Sequence, residues 1–401
     1  MMNPGAIPPK PRSPRPPRLG RSDRSALGLW FWEIDRVLLL FVIILISIGL
    51  IAVAAASPAS AHRYSDISFQ LAPLHYFWRQ LIWVSLGFFI MIAVSMMPQQ
   101  AARRFGLVCA GVFLLALAAV PVLGVEANGA RRWIGFGFAQ FQPSEFLKPF
   151  FAVAMAWLLS LKAQEEGLPV VLLSGLITGV VGMLLMLQPD FGQTIIFAAM
   201  WFAMVMVTGI SWRMVGLLAG TGATGVVSAY FFYPVATQRI NNFLFQNGDT
   251  YQTDSAHATI TAGGLFGTGP GGGEMKFRLP EAHTDYIFSV IGEEFGLIAC
   301  LAIAGVFLAM AARVCVKLLD EDDPFLMLAA TGLITQFTAQ AMVNMAVNTG
   351  IAPSKGMTLP FISYGGSSMI ALCIGFGLLL AFTRKNPYLT RSPYVVKWSA
   401  Q

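Results

Sequence analysis

Ten apolar runs constrain the fold of this chain more than any other feature of its sequence. Most of them approach the ~20 residues that an α-helix needs to cross a hydrocarbon core about 30 Å thick. Only 11% of the 401 residues are charged, against roughly 25% in an average soluble domain. The sequence therefore predicts an all-α polytopic membrane protein. The predicted spans are residues 37–56, 76–96, 105–124, 146–161, 169–187, 191–208, 214–233, 286–310, 325–346 and 363–383.

The distribution of basic residues predicts the orientation of these spans. With the N-terminus in the cytoplasm, 17 of the 26 Lys and Arg residues fall on the inner side and nine on the outer side. Because cytoplasmic loops carry the excess of Lys and Arg, both termini are predicted to be cytoplasmic. This placement accounts for the net charge of +6 without a nucleic-acid partner.

Three regions follow from the same pattern. Residues 1–36, rich in Pro and Arg at their start, are predicted to be a disordered cytoplasmic tail. Residues 37–387 form the membrane domain, and residues 388–401 form a cytoplasmic C-terminal tail. One long outer loop, residues 234–285, interrupts the spans, and its Gly-rich part lacks the Gly-Lys-Ser/Thr ending of a phosphate-binding P-loop.

Polar residues gather where spans meet the predicted outer side. A charge at mid-bilayer costs ~2.5–3.5 kcal/mol, so such residues usually face a cavity. Glu145 lies in the first turn of a helix that Pro143 opens, and Lys148 lies on the same face three residues later. Asp190, in the sequence QPDFGQ, either caps the next span or faces the cavity. For Glu145 and Lys148, an ion pair that holds two helices together is the alternative interpretation.

Two further segments carry ionisable groups on this side. Glu281, His283 and Asp285 fall within five residues, directly before an apolar span. Asp285 is the carboxylate expected at the membrane–water boundary, and Thr284 is an alternative helix cap. Since no second His or Cys lies at a ligand spacing, hydrogen bonding is favoured over metal binding for His283. Lys355 is either a cation that meets an anionic head group or a snorkelling lysine.

Four motifs in this order resemble those of the SEDS family (shape, elongation, division and sporulation), and its division members in particular. They are QPSEFLKP at 142–149, QPDFGQ at 188–193, LPEAHTDYIF at 279–288 and PSKGMTLPFISYGGSS at 353–368. The resemblance covers residues 36–387. Tyr286 stands where Phe is usual, and residues 270–275 lack the Ser expected before Lys276.

The resemblance implies a peptidoglycan glycosyltransferase of the bacterial inner membrane at the division septum. Its substrate would be lipid II, a disaccharide-pentapeptide on undecaprenyl diphosphate, and its product β-1,4 glycan. Asp285 matches the essential carboxylate of the family. The implied partners are a class B penicillin-binding protein, which is the septal transpeptidase, and other divisome membrane proteins. The substrate-binding candidates are Arg131, Arg132, Glu145, Lys148, Asp190, Glu281, His283, Lys355 and Ser363.

This chemistry assigns roles to residue types. An α-linked donor and a β-linked product require one inversion, so the acceptor hydroxyl needs a general base, for which Asp285 is the candidate. The leaving diphosphate needs positive charge, for which Lys148, Lys355, Arg131 and Arg132 are candidates. No tightly bound cofactor is expected. A divalent cation such as magnesium or manganese, held by Asp190 or Glu145, is an open alternative.

Two other functions remain open at this stage. A lipid II flippase would suit the fold and the lipid substrate, and a non-enzymatic divisome scaffold would suit the tail and the long loop. The polar clusters lie on one face, and no inverted repeat is visible, which favours the enzyme over the flippase.

Overall fold

The structure, a computed structural model, describes residues 26–65, 70–127, 130–136, 139–163, 168–245 and 250–384. The C-terminal tail 388–401 and the first 25 residues of the N-terminal tail lie outside the described residues. Within the described ranges, seven helices are long and apolar enough to cross a membrane, and two shorter helices are also apolar. The predicted all-α membrane fold is confirmed, and the count of ten spans stays a prediction.

Each predicted span coincides with a helix, and most boundaries agree within three residues, although three differ by six or eight. The 29-residue helix that begins at Arg36 is capped by Asp35, whose side chain accepts from the backbone N–H groups of Val37 and Leu38. In chain order the first six are α1 (Ala26–Glu33), α2 (Arg36–Tyr64), α3 (His75–Ser95), α4 (Gln99–Leu123), α5 (Pro143–Ser160) and α6 (Val170–Leu187). The others are α7 (Phe191–Val207), α8 (Trp212–Phe232), α9 (Pro234–Phe245), α10 (Tyr251–Ala262), α11 (Ile287–Leu318), α12 (Pro324–Asn348) and α13 (Gly366–Phe382).

The centre of the bundle is formed by α5, α12 and α13. Helix α12 packs against α5 and α7, and α13 packs against α3. Aromatic rings fill the space between them: Phe337, Phe361 and Phe376 contact one another with centroids 5.5–5.6 Å apart. The C-terminal end of α12 and the N-terminal ends of α5, α7 and α11 lie on the predicted outer side, where they carry the ionisable residues singled out above.

The long outer loop 234–285 is more ordered than the sequence indicated. It contains α9, α10 and a short 3₁₀ turn at Met275–Phe277. Its glycines permit close packing on α11, because a side chain at Gly263 or Gly267 would collide with the α11 backbone. The polar, Gly-rich composition of this loop concealed α9, which packs against α8, and α10, which packs against α11. Packing of this kind, rather than intrinsic propensity, stabilises short helices.

The segment between α4 and α5 contains a three-stranded antiparallel sheet that the sequence analysis did not predict: β1 (Val125–Ala127), β2 (Ala130–Phe136) and β3 (Ala139–Phe141). The predicted tail 1–36 ends too late, because α1 already packs on the membrane domain, where the Trp30 indole donates to Ser95 Oγ (2.9 Å).

Candidate active site

Asp285 lies immediately before α11, and its backbone is clamped by α12. The Asp285 carbonyl oxygen accepts hydrogen bonds from Asn344 Nδ2 (2.8 Å) and Asn348 Nδ2 (3.0 Å). Asn348 also accepts from the backbone and the hydroxyl of Ser289, in the first turn of α11. Two side-chain amides thus fix the position of the residue while leaving its carboxylate free to act.

The Asp285 carboxylate receives no hydrogen bond from any residue of the described ranges. Its side chain remains partly exposed, although protein surrounds it. Gly356 makes room for it, since a Cβ at that position would lie 2.7 Å from Asp285 Oδ2. A partly accessible carboxylate without a donor can take a proton from a bound molecule.

Asp190 and Lys355 form an ion pair in the same region. Lys355 Nζ lies 2.7 Å from Asp190 Oδ1, and both side chains are at least nine-tenths buried. Asp190 also caps α7 by accepting from the Gln193 backbone N–H, as the capping interpretation predicted. Gly192 allows this approach, because a Cβ there would collide with the Lys355 side chain. Asp190, Asp285 and Lys355 are named the outer centre below.

Burial sets the ionisation of the outer centre. It raises the pKa of Asp285 to about 7, and the negative charge of Glu281 acts in the same direction, while Lys355 opposes both. Burial lowers the pKa of Lys355 to about 8, and the adjacent Asp190 limits that decrease. Burial also acts to raise the pKa of Asp190, but Lys355 and Arg132 outweigh it and hold that pKa below its ordinary value. The site therefore holds one carboxylate that is ionised at neutral pH and one that is poised near pH 7.

Glu145 and Lys148 form a separate buried pair one helical turn apart on α5. Lys148 Nζ lies 2.8 Å from Glu145 Oε2, with the lysine side chain fully buried. Gln340 of α12 accepts from Lys148 (2.7 Å), and Gln193 of α7 donates to Glu145. These contacts join three helices and match the structural alternative noted for this pair, in which the Lys148 ammonium is paired with protein groups.

The two neighbouring arginines of β2 differ in their surroundings. Arg132 donates to the carbonyl oxygens of Gln188 (3.0 Å) and Pro189 (2.6 Å), directly before Asp190. Arg131 points away and forms a loose pair with Glu126 at 3.5 Å, with both side chains more than half exposed. Only Arg132 is brought to the outer centre.

Three predicted binding residues hold the segment that carries Asp285. Glu281 accepts from the Tyr64 hydroxyl (2.7 Å). His283 Nδ1 lies 2.8 Å from Ser60 Oγ, and burial lowers the pKa of its imidazole to about 4, so the ring is neutral. Ser363 donates to the Thr284 carbonyl (2.6 Å). Their side chains are occupied by protein, which agrees with the hydrogen-bonding role favoured for His283.

The residues present do not fit a resident metal ion held by Asp190 or Glu145. Each of these carboxylates already faces a lysine ammonium. Across the described ranges, no three His, Cys, Asp or Glu side chains come together in a way that could hold a metal ion.

Sequence reasoning missed the amide side chains of α12. Gln340, Asn344 and Asn348 recur every four residues, so they lie on one face of an otherwise apolar helix. They bind Lys148 and the Asp285 backbone, as described above. That spacing of amides within a predicted span was the signal that could have identified them.

The chain is similar to proteins of known family. The FTSW_RODA_SPOVE family, described as cell cycle proteins, matches residues 35–388. The probable peptidoglycan glycosyltransferase FtsW of Caulobacter vibrioides is 40% identical over 374 residues, which cover 92% of this chain and 93% of that protein. The protein of the same name from Coxiella burnetii is 34% identical and covers 87% of this chain and 96% of its own length.

Solved structures agree. The chain matches a structure described as "Structural coordination of polymerization and crosslinking by a peptidoglycan synthase complex", with a TM-score of 0.71, 28% identity and coverage of 87% of this chain and 97% of that one. Thermus thermophilus rod shape determining protein RodA matches with a TM-score of 0.64 and 28% identity, covering 87% and 96%. The sequence motifs, the helical bundle and these similarities together show that the chain belongs to the FtsW/RodA/SpoVE, or SEDS, family.

Proposed function

We propose that this protein polymerises lipid II into β-1,4 glycan strands at the division septum, with Asp285 as the general base. The observation that carries the proposal is the Asp285 carboxylate, which no described residue hydrogen-bonds and whose backbone two asparagines hold in place. The similarity to proteins named peptidoglycan glycosyltransferase FtsW supports the reaction class.

The reaction is a single displacement at the anomeric carbon of the donor. The acceptor hydroxyl transfers its proton to Asp285 as its oxygen attacks that carbon, and the bond from carbon to the diphosphate oxygen breaks. Undecaprenyl diphosphate leaves with the bonding electrons, and the α-linkage of the donor becomes a β-linkage. A positioned base of this kind contributes typically 10²–10⁴-fold to the rate.

The raised pKa of Asp285 suits this role. A general base works best when its pKa lies near the working pH, because it is then ionised often enough and still basic enough. Burial and the charge of Glu281 bring the pKa of Asp285 to about 7. An exposed aspartate with a pKa of about 3.9 would be ionised but a weaker proton acceptor.

Lys355 and Arg132 supply positive charge for the leaving diphosphate. Lys355 is held by Asp190, and Arg132 is held by two carbonyl oxygens. Cations fixed in advance stabilise developing charge without reorganising during the reaction. Arg131 is paired with Glu126 on the exposed surface, and Lys148 is paired with Glu145 and Gln340 inside the bundle, so the proposal does not assign this role to them.

A class B penicillin-binding protein is the proposed partner, together with other divisome membrane proteins. One structure that this chain resembles is described as a peptidoglycan synthase complex that coordinates polymerization and crosslinking. A polymerase that releases uncross-linked strands requires a transpeptidase close by.

The test is polymerisation of labelled lipid II by the purified protein together with its class B partner. We expect long glycan from the native protein and a loss of 10²–10⁴-fold from Asp285→Ala, with unchanged melting temperature. Both reactions are repeated with a chelator, and loss of glycan product in its presence would show that the reaction requires a metal ion. Equal product from both proteins would remove Asp285 as the base, and no product from either intact complex would favour a flippase or a scaffold.

A further inference from the structure

A cavity adjoins the outer centre. It has a volume of 680 Å³ and lies between α9, α10 and residues 350–354. Ligand sites typically occupy about 300–1,000 Å³. Its wall mixes apolar groups with hydroxyl, amide, imidazole and carboxylate groups, which include Asn242, Thr253, Asp254 and His257. The polar groups can hydrogen-bond the hydroxyls of a sugar.

Arg239 of α9 lies in the wall of this cavity. Its Nη1 atom is buried and has no hydrogen-bond partner among the described residues. An unsatisfied buried donor is costly, and more so when it is charged, so a ligand that accepts this hydrogen bond is favoured. The guanidinium fork matches the oxygens of a phosphate or carboxylate group.

Contacts and charge connect Arg239 with the outer centre. Ser354, in the cavity wall, lies 3.3 Å from the hydroxyl of Tyr286, the residue that follows Asp285. Arg239 is close enough to Lys355 that its charge contributes to the lowered pKa of that lysine. It also interacts electrostatically with Arg132 and Asp190.

Arg239 is one of three cations in this region, with Arg132 and Lys355. Lys355 is paired with Asp190, and Arg132 donates to two backbone carbonyl oxygens, whereas the Arg239 Nη1 atom has no hydrogen-bond partner among the described residues. The carboxylate of Asp254 also lies in the cavity wall. The unpaired guanidinium nitrogen favours an anionic group such as a diphosphate over a neutral sugar.

We propose that Arg239 binds the diphosphate of a lipid-linked glycosyl donor, and that the adjoining cavity holds the sugar units attached to it. This inference rests on the proposed function, because it assigns the donor side of that reaction. When the bond from the anomeric carbon to the diphosphate oxygen breaks, Arg239 hydrogen-bonds the oxygens that gain negative charge.

The test compares Arg239→Gln, Arg239→Lys and a matched control in the purified full-length protein with its class B partner. The control is Arg278→Gln, which removes an exposed arginine on the same side of the protein. Lipid II polymerisation gives kcat/KM, and native mass spectrometry measures binding of undecaprenyl diphosphate and of undecaprenyl monophosphate. Melting temperatures show that each variant is folded.

We expect Arg239→Gln to weaken binding of undecaprenyl diphosphate and to lower kcat/KM by about tenfold to hundredfold, as loss of a hydrogen bond to a charged group does. Arg239→Lys should lose less, and Arg278→Gln should match the native protein. Binding of the monophosphate should change less than binding of the diphosphate.

Each contrary result has a defined meaning. If Arg239→Gln bound undecaprenyl diphosphate as tightly as the native protein does, the inference would be overturned, whether or not the variant polymerised lipid II. A lower kcat/KM with unchanged diphosphate binding would also overturn it, because Arg239 would then contribute through a group other than the diphosphate. If the native complex made no glycan, the proposed function would fail, and the binding measurement would still decide whether Arg239 holds a diphosphate.

Discussion

Two clusters of ionisable residues have members near the start of α11, and they differ in how fully their groups are paired. The outer centre contains Asp285, whose carboxylate has no hydrogen-bond donor among the described residues. The other cluster, named the loop anchor, consists of Lys276, Glu293 and Glu294. Glu293 accepts from the backbone N–H groups of Met275 (2.7 Å) and Lys276 (3.0 Å), and Lys276 Nζ pairs with Glu294.

The loop anchor is closed to ligands. The side chains of Lys276 and Glu294 are at least 98% buried, and a Cβ at Gly273 would lie 2.7 Å from the Glu293 carboxylate carbon. The Gly-rich segment therefore covers these acids and uses them to hold the outer loop on α11. The comparison shows that burial of charge alone does not mark an active site. The distinguishing features are an unpaired carboxylate and remaining access.

In this comparison, the substitution Glu294→Ala should have the largest effect, which is a loss of folding stability. Removing one partner of a buried pair leaves Lys276 uncompensated, which typically costs about 3–5 kcal/mol. We expect a marked loss of melting temperature in detergent, measured beside Asp285→Ala as the matched control, which removes an unpaired carboxylate. Replacing both partners, with Lys276→Met and Glu294→Leu, should restore most of the loss. If Glu294→Ala melted like the native protein, the loop anchor would have no structural role.

The second expected effect is on the pH dependence of polymerisation, which should follow the ionisation of Asp285 rather than that of the paired carboxylates. Asp285 must be ionised to accept a proton, and its pKa is raised to about 7, so polymerisation should rise about tenfold between pH 6 and pH 8. Glu281→Gln removes a charge that raises this pKa and should move the midpoint of the profile to lower pH. An activity that stayed flat from pH 6 to pH 8 in the native protein would contradict the role of Asp285.

The smallest expected effect is that of Arg131→Gln. The pair that Arg131 forms with Glu126 is loose and largely exposed, and exposed pairs contribute little to stability. We expect less than a twofold change in polymerisation rate and no measurable change in melting temperature. Arg132→Gln serves as the contrasting variant, since that side chain is fixed beside Asp190. A large loss of activity from Arg131→Gln would place it in the substrate path.

Much of the fold followed from local composition. Apolar runs identified every long helix, because partition into a bilayer depends on residues that are adjacent in sequence. Composition failed for α9, α10 and the small sheet, because these elements are ordered by tertiary contacts: α9 with α8, α10 with α11, and each strand with its neighbour. It also failed for α1, where Trp30 reaches Ser95, a residue 65 positions away.

The candidate site was predicted in part. Asp285, Asp190 and Lys355 were identified from their positions at the outer ends of spans, and the structure brings them together. Glu145 and Lys148 were equally conspicuous in sequence, but α7 and α12 enclose them in a structural pair. Arg239 had no sequence signal beyond its charge, since only the folded structure shows that its buried Nη1 atom has no hydrogen-bond partner in the part of the chain that the structure describes.

The sequence by itself determined which segments form the long apolar helices and which ionisable residues stand at their ends, because both depend on neighbours in the chain. Only the tertiary structure decided which charges are paired, because the partners are distant in sequence: Lys355 and Asp190 are 165 residues apart, and Lys148 and Gln340 are 192 apart. Once those pairs form, Asp285 is the carboxylate of the outer centre that is left without one. Its availability is therefore a property of the fold and not of the motif that contains it.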